Sequence, residues 1–468
     1  MTAALSALKE ILIFGGPDPS ELVPMDHSRH GGAQHLRAGF IRSLLSMAKA
    51  ERITVVTGAE RKDALREALA AVDVHGRVAV QTFRDLADRP RFEAGTVIHG
   101  LDIGLMAPLH LSARFTGGLW PVTAMTHDLF DPAVFSDLMM ASFIDHPPLG
   151  AIACASRAAR SVLLRMLGHL ASRVIKPLKL ALPIVHHGMD LVGQEPIAGP
   201  GEREAVRRGL NGQGDSLVLL YVGRLSLSTK ADLSLLITAC STLRFAGPVT
   251  LVMAGGAGDP LELAKLRAQA ATAVKGRAGL RIVIEADISN PRKRDLLAAA
   301  DVVISPANSP QESFGLALVE ALAAGLPVIA SDWNGYRDII SHGKSGLLVP
   351  TTIDHGRFAD LGRFRPLESN NWLYRQISTT VTIDSDALRH AIDCFAHDPA
   401  FRQSCSDYAK SAASAFTCQR MIERYERLWH LLLVLSHHQS AQPQPQPQPT
   451  LPLDWAEVFL KHPTDWTR

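Results

Sequence analysis

Two glutamates stand eight positions apart in the run Glu312-Ser313-Phe314-Gly315-Leu316-Ala317-Leu318-Val319-Glu320. The strand-like stretch Asp301 to Pro306 precedes them, and a helical pattern to Ala324 followed by Gly325-Leu326-Pro327 comes after. A carboxylate accepts two hydroxyl bonds, and a buried charge-assisted bond contributes about 1.5–3 kcal/mol. Glu312, at the carboxyl edge of a strand, falls where open α/β sheets bind their ligands. Gly315 lets the backbone come close to a bound group. The N–H groups of the helix beginning near Leu316 then form an anion site suited to a diphosphate. Glu320, further along that helix, is placed to accept from ribose or sugar hydroxyls. An isolated pair at this spacing would be read as a helix cap and a solvated helix residue. The surrounding Gly, Pro and apolar residues favour a ligand site here.

A second constellation follows the apolar run Leu217-Val222: Gly223-Arg224-Leu225, then Lys230 and Asp232 before a helical pattern. Two cations at the carboxyl end of a domain's first strand can neutralise a departing diphosphate, where negative charge grows as a glycosyl–phosphate bond breaks. Without that context they would be solvated loop charges. In the N-terminal half, Gly31-Gly32 precede a helix marked by Leu36, Phe40 and Leu44, so these glycines occupy another phosphate-friendly helix start. His127, between Thr126 and Asp128, follows the run Val122-Met125; a lone histidine in such a place is more often structural.

The elements that must position these residues alternate along the chain. Strand-like runs at Ile53-Val56, Val78-Val80, Val122-Met125, Ile152-Ala155, Leu217-Val222, Val249-Ala254, Ile282-Ile284, Val302-Ile304 and Val328-Ala330 are separated by helical patterns. Such alternation predicts βαβ units and parallel sheets. The Gly/Pro-rich stretch Val192 to Glu204 is the expected hinge, giving domains 1–195 and 196–435. After Leu347-Val349 the pattern turns helical, clearest over Phe401 to Phe416 and Cys418 to Leu435. The Pro-Gln repeat from Gln442 to Pro449 predicts an extended linker within a tail, 436–468. Thr352 to Thr380 fits neither the strand nor the helix template and reads as an insertion.

A chain of 468 residues with 47% hydrophobic and 20% charged residues has the bulk of two globular domains. A net charge of +2 argues against a nucleic-acid binder working by phosphate neutralisation. Five widely spaced cysteines without a C-x-x-C pair argue against a disulfide framework and a zinc site, and fit a reducing cytoplasm. The N-terminal stretch lacks the pattern of a signal peptide, and no uncharged apolar run approaches the ~18 residues of a membrane span. Arg157 to Lys179 carries six cations and no acid, interleaved with Leu163, Leu164, Leu167 and Leu170. Two readings stand for it: a basic amphipathic surface for anionic lipids at the inner face of a membrane, or an ordinary helix burying its leucines.

Together these residues resemble family 4 of the GT-B glycosyltransferases, a group of retaining enzymes. The family's E-x7-E motif is matched by Glu312 to Glu320 with the following Ala321 to Pro327. Its G-R-L with a nearby lysine is matched by Gly223-Arg224-Leu225 and Lys230, and its G-x-G turn by Gly256 and Gly258. Its Asn-or-similar-G-x-D turn is matched by His187-Gly188-Met189-Asp190, and Ser331 to Asp338, containing Asp332-Trp333-Asn334-Gly335-Tyr336-Arg337-Asp338, is similar to one bacterial subgroup. The resemblance spans roughly residues 10 to 435 and is weaker in the N-terminal half. The sequence departs from the family at Ala231, where a glycine usually follows the lysine, and in the Ser/Thr-rich Ser226 to Thr229 loop.

The resemblance implies a GT-B fold, two Rossmann-like parallel-sheet domains facing across a cleft, with C-terminal helices. It implies a nucleotide-sugar donor held by Arg224 and Lys230 at the diphosphate, Glu320 at the ribose and Glu312 at the sugar, with Phe314, Gly315 and Leu316 alongside and Gly31 and Gly32 facing from the first domain. It implies that His127 lies beside the donor sugar, that the base is read by backbone around Glu285 to Ile288, and that no cofactor or metal is needed. No D-x-D triplet lies near the site in sequence, and the only one in the chain, Asp384-Ser385-Asp386, lies well past it. The implied reaction moves a sugar from a UDP- or GDP-sugar to a glycan or lipid-linked acceptor, as in bacterial polysaccharide assembly. A glycoside hydrolase would leave the phosphate-cradling features without purpose. A sugar phosphorylase, a nucleotide-sugar epimerase and a non-catalytic nucleotide-sugar-binding partner are the competing readings on the same fold.

Overall fold

The computed structural model describes residues 7–22, 32–88, 94–116, 120–144, 149–173, 178, 180–190, 200–210, 216–227, 229–310, 312–363 and 370–440. Gly31, most of the expected hinge, and the Pro-Gln repeat with its tail lie outside them.

The first sheet holds seven parallel strands in the order β3-β2-β1-β4-β5-β6-β7. They are β1 (Glu10–Phe14), β2 (Arg52–Thr57), β3 (Val78–Thr82), β4 (Thr96–Gly100), β5 (Val122–Met125), β6 (Gly150–Ala153) and β7 (Leu180–Ala181). The second holds six, β10-β9-β8-β11-β12-β13. Those are β8 (Leu217–Val222), β9 (Val249–Gly255), β10 (Leu280–Ala286), β11 (Val302–Ser305), β12 (Val328–Ser331) and β13 (Gly346–Val349). Helices between successive strands cover the sheets, so the central strands are buried throughout and read as continuous apolar runs. Strand order reverses between β1 and β4 in one sheet and between β8 and β11 in the other, which opens a crevice at the carboxyl edge of each.

Three features depart from the sequence expectations. Strand β4 lies at the centre of the first sheet, yet Thr96, His99 and Gly100 dilute its apolar signal. The 352–380 stretch is a folded excursion: β14 (Thr351–Ile353) pairs antiparallel with β15 (Val381–Ile383), and two helices, His355–Gly362 and Asn370–Ser378, lie between them. The last helix, Cys418–Ser440, packs on the first sheet although the sequence division groups it with the second domain. Its Met421, Ile422, Tyr425, Trp429 and Leu433 share a core with Ile11, Ile13 and Phe40. The Trp429 indole N–H donates to Thr123 Oγ1 at 3.0 Å.

That helix covers a fully buried histidine. His99 on β4 is 0% exposed, with Nδ1 2.9 Å from Thr123 Oγ1, and its Nε2 finds no partner. Burial, and then the nearby His127, pushes its pKa down to about 3. The unfolded chain titrates this ring near the ordinary 6.5, so between those values only the unfolded state carries the proton. Stability is therefore present above about pH 6.5 and is lost as pH falls toward 3, by ~1.4 kcal/mol per unit from this group. Urea melts at pH 7, 6 and 5 should show that slope on top of those from the buried His127 and His187, and His99→Gln should lessen the total by about its own share. An equal slope in the variant would remove His99 as one of its sources.

Candidate functional site

The residues singled out in the second half converge on the β8/β11 crevice. After β8 the chain turns at Gly223 into Arg224, whose side chain is exposed and whose carbonyl accepts from Tyr221 Oη at 2.8 Å. Leu225 N–H donates to Gly256 at 2.9 Å, so the G-R-L turn is fastened to the G-x-G turn after β9. The loop carrying Lys230 is pinned at both ends. Glu262 accepts from Ser226 Oγ at 2.9 Å and from Leu227 N–H at 3.1 Å. Ala231 bridges to Ala307, and Asp232 N–H donates to Pro306 at 2.9 Å. Ala231, the departure from the family's glycine, is fully buried in that bridge.

These contacts bring Lys230 and Glu312 together as an ion pair, with side chains 21% and 10% exposed. Glu320 is matched in the same way, its Oε1 2.6 Å from Lys293 Nζ. Each carboxylate thus carries a lysine counter-charge that a polyhydroxylated, anionic ligand can share. Burial and then the Glu312 charge raise the pKa values of Tyr221 and Tyr336, so both hydroxyls stay protonated beneath the site.

The loop from β11 to the next helix is held from below by the segment after β12. Ser331 Oγ donates to Ala307 at 2.6 Å, Trp333 Nε1 to Ser309 at 2.9 Å, and Tyr336 Oη lies 2.7 Å from Ser305 Oγ. Gly335 passes so close beneath Ser313 that a Cβ would sit 2.2 Å from its carbonyl oxygen. The Trp-Asn-Gly-Tyr stretch therefore works as support for the Glu312 loop. Gly315 has φ +114° and a Cβ there would meet the Tyr336 ring at 2.5 Å, so only glycine makes this turn into helix Leu316–Ala323. The first N–H groups of that helix have no acceptor within it. Leu316 is partly buried against the core, leaving its backbone as the part available to a ligand.

The ring of Phe314 is taken up by the protein itself. Its side chain is 3% exposed and packs against His187, Phe416 and His186 at 5.3, 5.8 and 6.0 Å between ring centroids. It is an inter-domain contact, and only its backbone can approach a donor. The same cluster leads to the first sheet, because His187 also stacks on His127 at 5.6 Å.

His127 Nε2 lies 2.6 Å from the Leu101 carbonyl. A carbonyl only accepts, so Nε2 carries the hydrogen and the neutral ring keeps Nδ1 as an acceptor. Burial lowers its pKa to about 4, against the raising effect of that hydrogen bond, so the ring is neutral at pH 7. The charges of Arg37 and Asp102 both act on it. Those two residues line an open pocket of about 430 Å³ at the β1/β4 crevice, with Gly15, Gly16, Asp18, Glu21 and Arg61. Glu21 Oε2 is buried there without a partner.

The structure thus brings Lys230 and Glu312 together, pairs Glu320 with Lys293, and sets His127 on His187, which in turn meets Phe314. Gly31 falls outside the described residues, and Gly32 begins the helix Gly32–Met47. Sequence reasoning missed Lys293, which sits in an ordinary run of helix cations, and the polar pocket, whose residues come from four separate segments of the chain, loops and helices alike. No local signal marks either one.

Residues 202–379 match the family Glycosyl transferases group 1. The chain is 38% identical over 175 residues to D-inositol 3-phosphate glycosyltransferase of Jonesia denitrificans, covering 36% of this chain and 39% of that protein. It thus spans about two fifths of the length of such curated relatives. Among solved structures, Anabaena Alr3699/HepE in complex with UDP superposes with a TM-score of 0.58 at 16% identity, covering 90% of this chain and 99% of that one. Sucrose-phosphate synthase from Thermosynechococcus elongatus gives 0.58 at 18%, covering 91% and 100%. The fold is GT-B.

Proposed function

We propose that the chain is a retaining glycosyltransferase that moves a sugar from a nucleoside diphosphate to an acceptor hydroxyl. The observation that carries this reading is the Lys230–Glu312 pair, set at the β8/β11 crevice beside Arg224 and a glycine-started helix. Arg224, Lys230 and the helix N–H groups take the charge that grows on the leaving diphosphate, without a bound metal. Glu312 accepts from hydroxyls of the transferred sugar, His127 Nδ1 from another, and Glu320 from the ribose. The departing phosphate oxygen removes the acceptor's proton on the face from which it leaves, so configuration is retained.

A uridine donor is the expected one, since the HepE structures were solved with UDP and UDP-glucose. A thermal-shift titration should show stabilisation by UDP and none by ADP or GDP. At ~100 times the dissociation constant the gain is ~2.7 kcal/mol. No shift with any nucleotide in a folded sample would remove the reading.

The acceptor enters from the first-domain pocket, where Asp18, Glu21, Arg37 and Asp102 offer partners for a hydroxyl-rich glycan. Among the described residues no helix is long and apolar enough to cross a membrane. On helix Arg157–Ala171, Leu163 and Leu170 are buried, while Val162 and Leu164 stay 40% and 54% exposed beside Arg160 and Arg165. That surface fits a cytoplasmic enzyme resting on anionic lipid to reach a lipid-linked acceptor. It should co-sediment with anionic vesicles and not with neutral ones; equal recovery from both removes the membrane contact.

A further inference from the structure

The 351–383 excursion has no part in the donor crevice, yet it touches the His127 and Glu312 loops and the carboxylate that pins the Lys230 loop. Its base is closed: Asp354 N–H donates to Thr380 and Asp384 N–H to Pro350, each at 2.9 Å, so the chain leaves and re-enters at one place. Between those points, helix Asn370–Ser378 buries Leu373, Tyr374 and Ile377 to within 2% exposure.

The first contact crosses from the second domain to the first. Tyr374 Oη donates to Asp128 Oδ2, while Asp128 Oδ1 accepts from Phe130 N–H in its own loop at 2.9 Å. The Phe130 ring lies 5.2 Å from Tyr374 and 6.3 Å from Phe358 of the other excursion helix. Asp128 adjoins His127, so the excursion grips the loop that presents that histidine. In a second contact, Arg375 lies 3.5 Å from Glu262, the carboxylate that pins the Lys230 loop. The third joins Asn308, 6% exposed on the Glu312 loop, whose Nδ2 donates to Ser378 at 3.3 Å.

We propose that this excursion is a strap across the cleft, with Tyr374 the positioning residue that fixes the His127–Asp128 loop relative to the donor loops. The inference rests on the glycosyltransferase reading for its catalytic consequence but not for its structural one. Near the chain crossing at Met189, whose N–H donates to Phe416 and whose carbonyl accepts from Cys418, the domains also meet where Ser156 Oγ donates to Ser313 at 2.9 Å and where Arg157 and His186 hold Asp338. Two packed sheets joined along one such patch can still rock about it. A hydroxyl-to-carboxylate bond and an aromatic contact from a separate element remove that freedom and hold His127 at a set distance from the bound sugar. Transfer depends steeply on such placement, and donor binding much less so.

Tyr374→Phe keeps the ring against Phe130 and deletes only the hydroxyl, while Phe130→Ala removes the ring contact. Both are examined for hydrogen exchange of the amides of 126–131 and for steady-state kinetics. Expected are faster exchange in that segment, unchanged exchange in 312–320, and a kcat lower by ~10- to 100-fold with donor KM within about twofold. Tyr374→Phe should also keep the melting temperature, which separates positioning from unfolding. Unchanged exchange at 126–131 in both variants overturns the strap, whatever the kinetics. Faster exchange with wild-type kcat overturns the positioning role of Tyr374. If the wild-type protein binds no nucleotide, the glycosyltransferase reading falls on its own, and the exchange result alone still judges the strap.

Discussion

Lys230→Ala should lower kcat by ~10²- to 10³-fold, the range seen when one preorganised partner of a developing anion is removed. The lysine acts in a crevice where its side chain is only 21% exposed, so little water is at hand to replace it. The same change should also destabilise the ligand-free protein, because Glu312 would be left mostly buried without its counter-charge. Removing one partner of a fully buried pair costs about 3–5 kcal/mol, which is the ceiling here. The two effects are separable. In Lys230→Ala/Glu312→Gln the unpaired charge is gone, so the melting temperature should recover while kcat stays low. A double variant with both properties restored would mean the pair is only structural. Wild-type turnover in a folded Lys230→Ala would remove the lysine from the mechanism altogether.

This coupling also explains how much of the site was legible in the sequence. Glu312, Lys230, Arg224 and Gly315 each lie in a loop that leaves the carboxyl end of a strand whose apolar run is unmistakable, and such loops of a parallel sheet border one crevice by construction. Their types and positions therefore sufficed. Lys293 was not legible, because its meeting with Glu320 depends on how helix Asn290–Ala299 lies against helix Leu316–Ala323, and side-chain reach across two helices leaves no pattern in either. The surroundings of the Phe314 ring were hidden for a related reason: its neighbours in sequence lie on the Glu312 loop, but the ring is claimed by His186, His187 and Phe416 from distant segments. The excursion escaped because its strands are three residues each, too short for an alternation to register, and its helices are held mainly by contacts to other loops. The returning C-terminal helix was placed correctly in sequence, but nothing in its own residues says which sheet its Tyr425 and Trp429 will cover.

Gly255→Ala should be among the most damaging single-methyl changes in the second domain. Gly255 ends β9 at φ +149°, and a Cβ there would stand 1.9 Å from the Gly223 carbonyl oxygen and 2.7 Å from its carbon. Both obstacles are backbone, so no side-chain rotation relieves them. Nor can the turns drift apart cheaply. Gly223 N–H donates to Ala254 at 3.0 Å on one side, and Asp287 N–H to Gly255 at 2.7 Å on the other. Asp287 itself sits at φ +54°, with its carboxylate fixed by Ala257 N–H at 2.7 Å. The strained backbone adds ~1–3 kcal/mol and the overpacking a further ~1–3 kcal/mol. Because the displaced segment is the one that presents Arg224, nucleotide binding should fail together with stability. Gly276→Ala is the control: a Cβ there meets nothing within 4 Å, at the end of helix Pro260–Gly276, and its melting temperature should stay at or slightly above wild type. If Gly255→Ala melts and binds UDP as the control does, the close approach of the two turns is absent in solution, and the placement of Arg224 built on it fails with it.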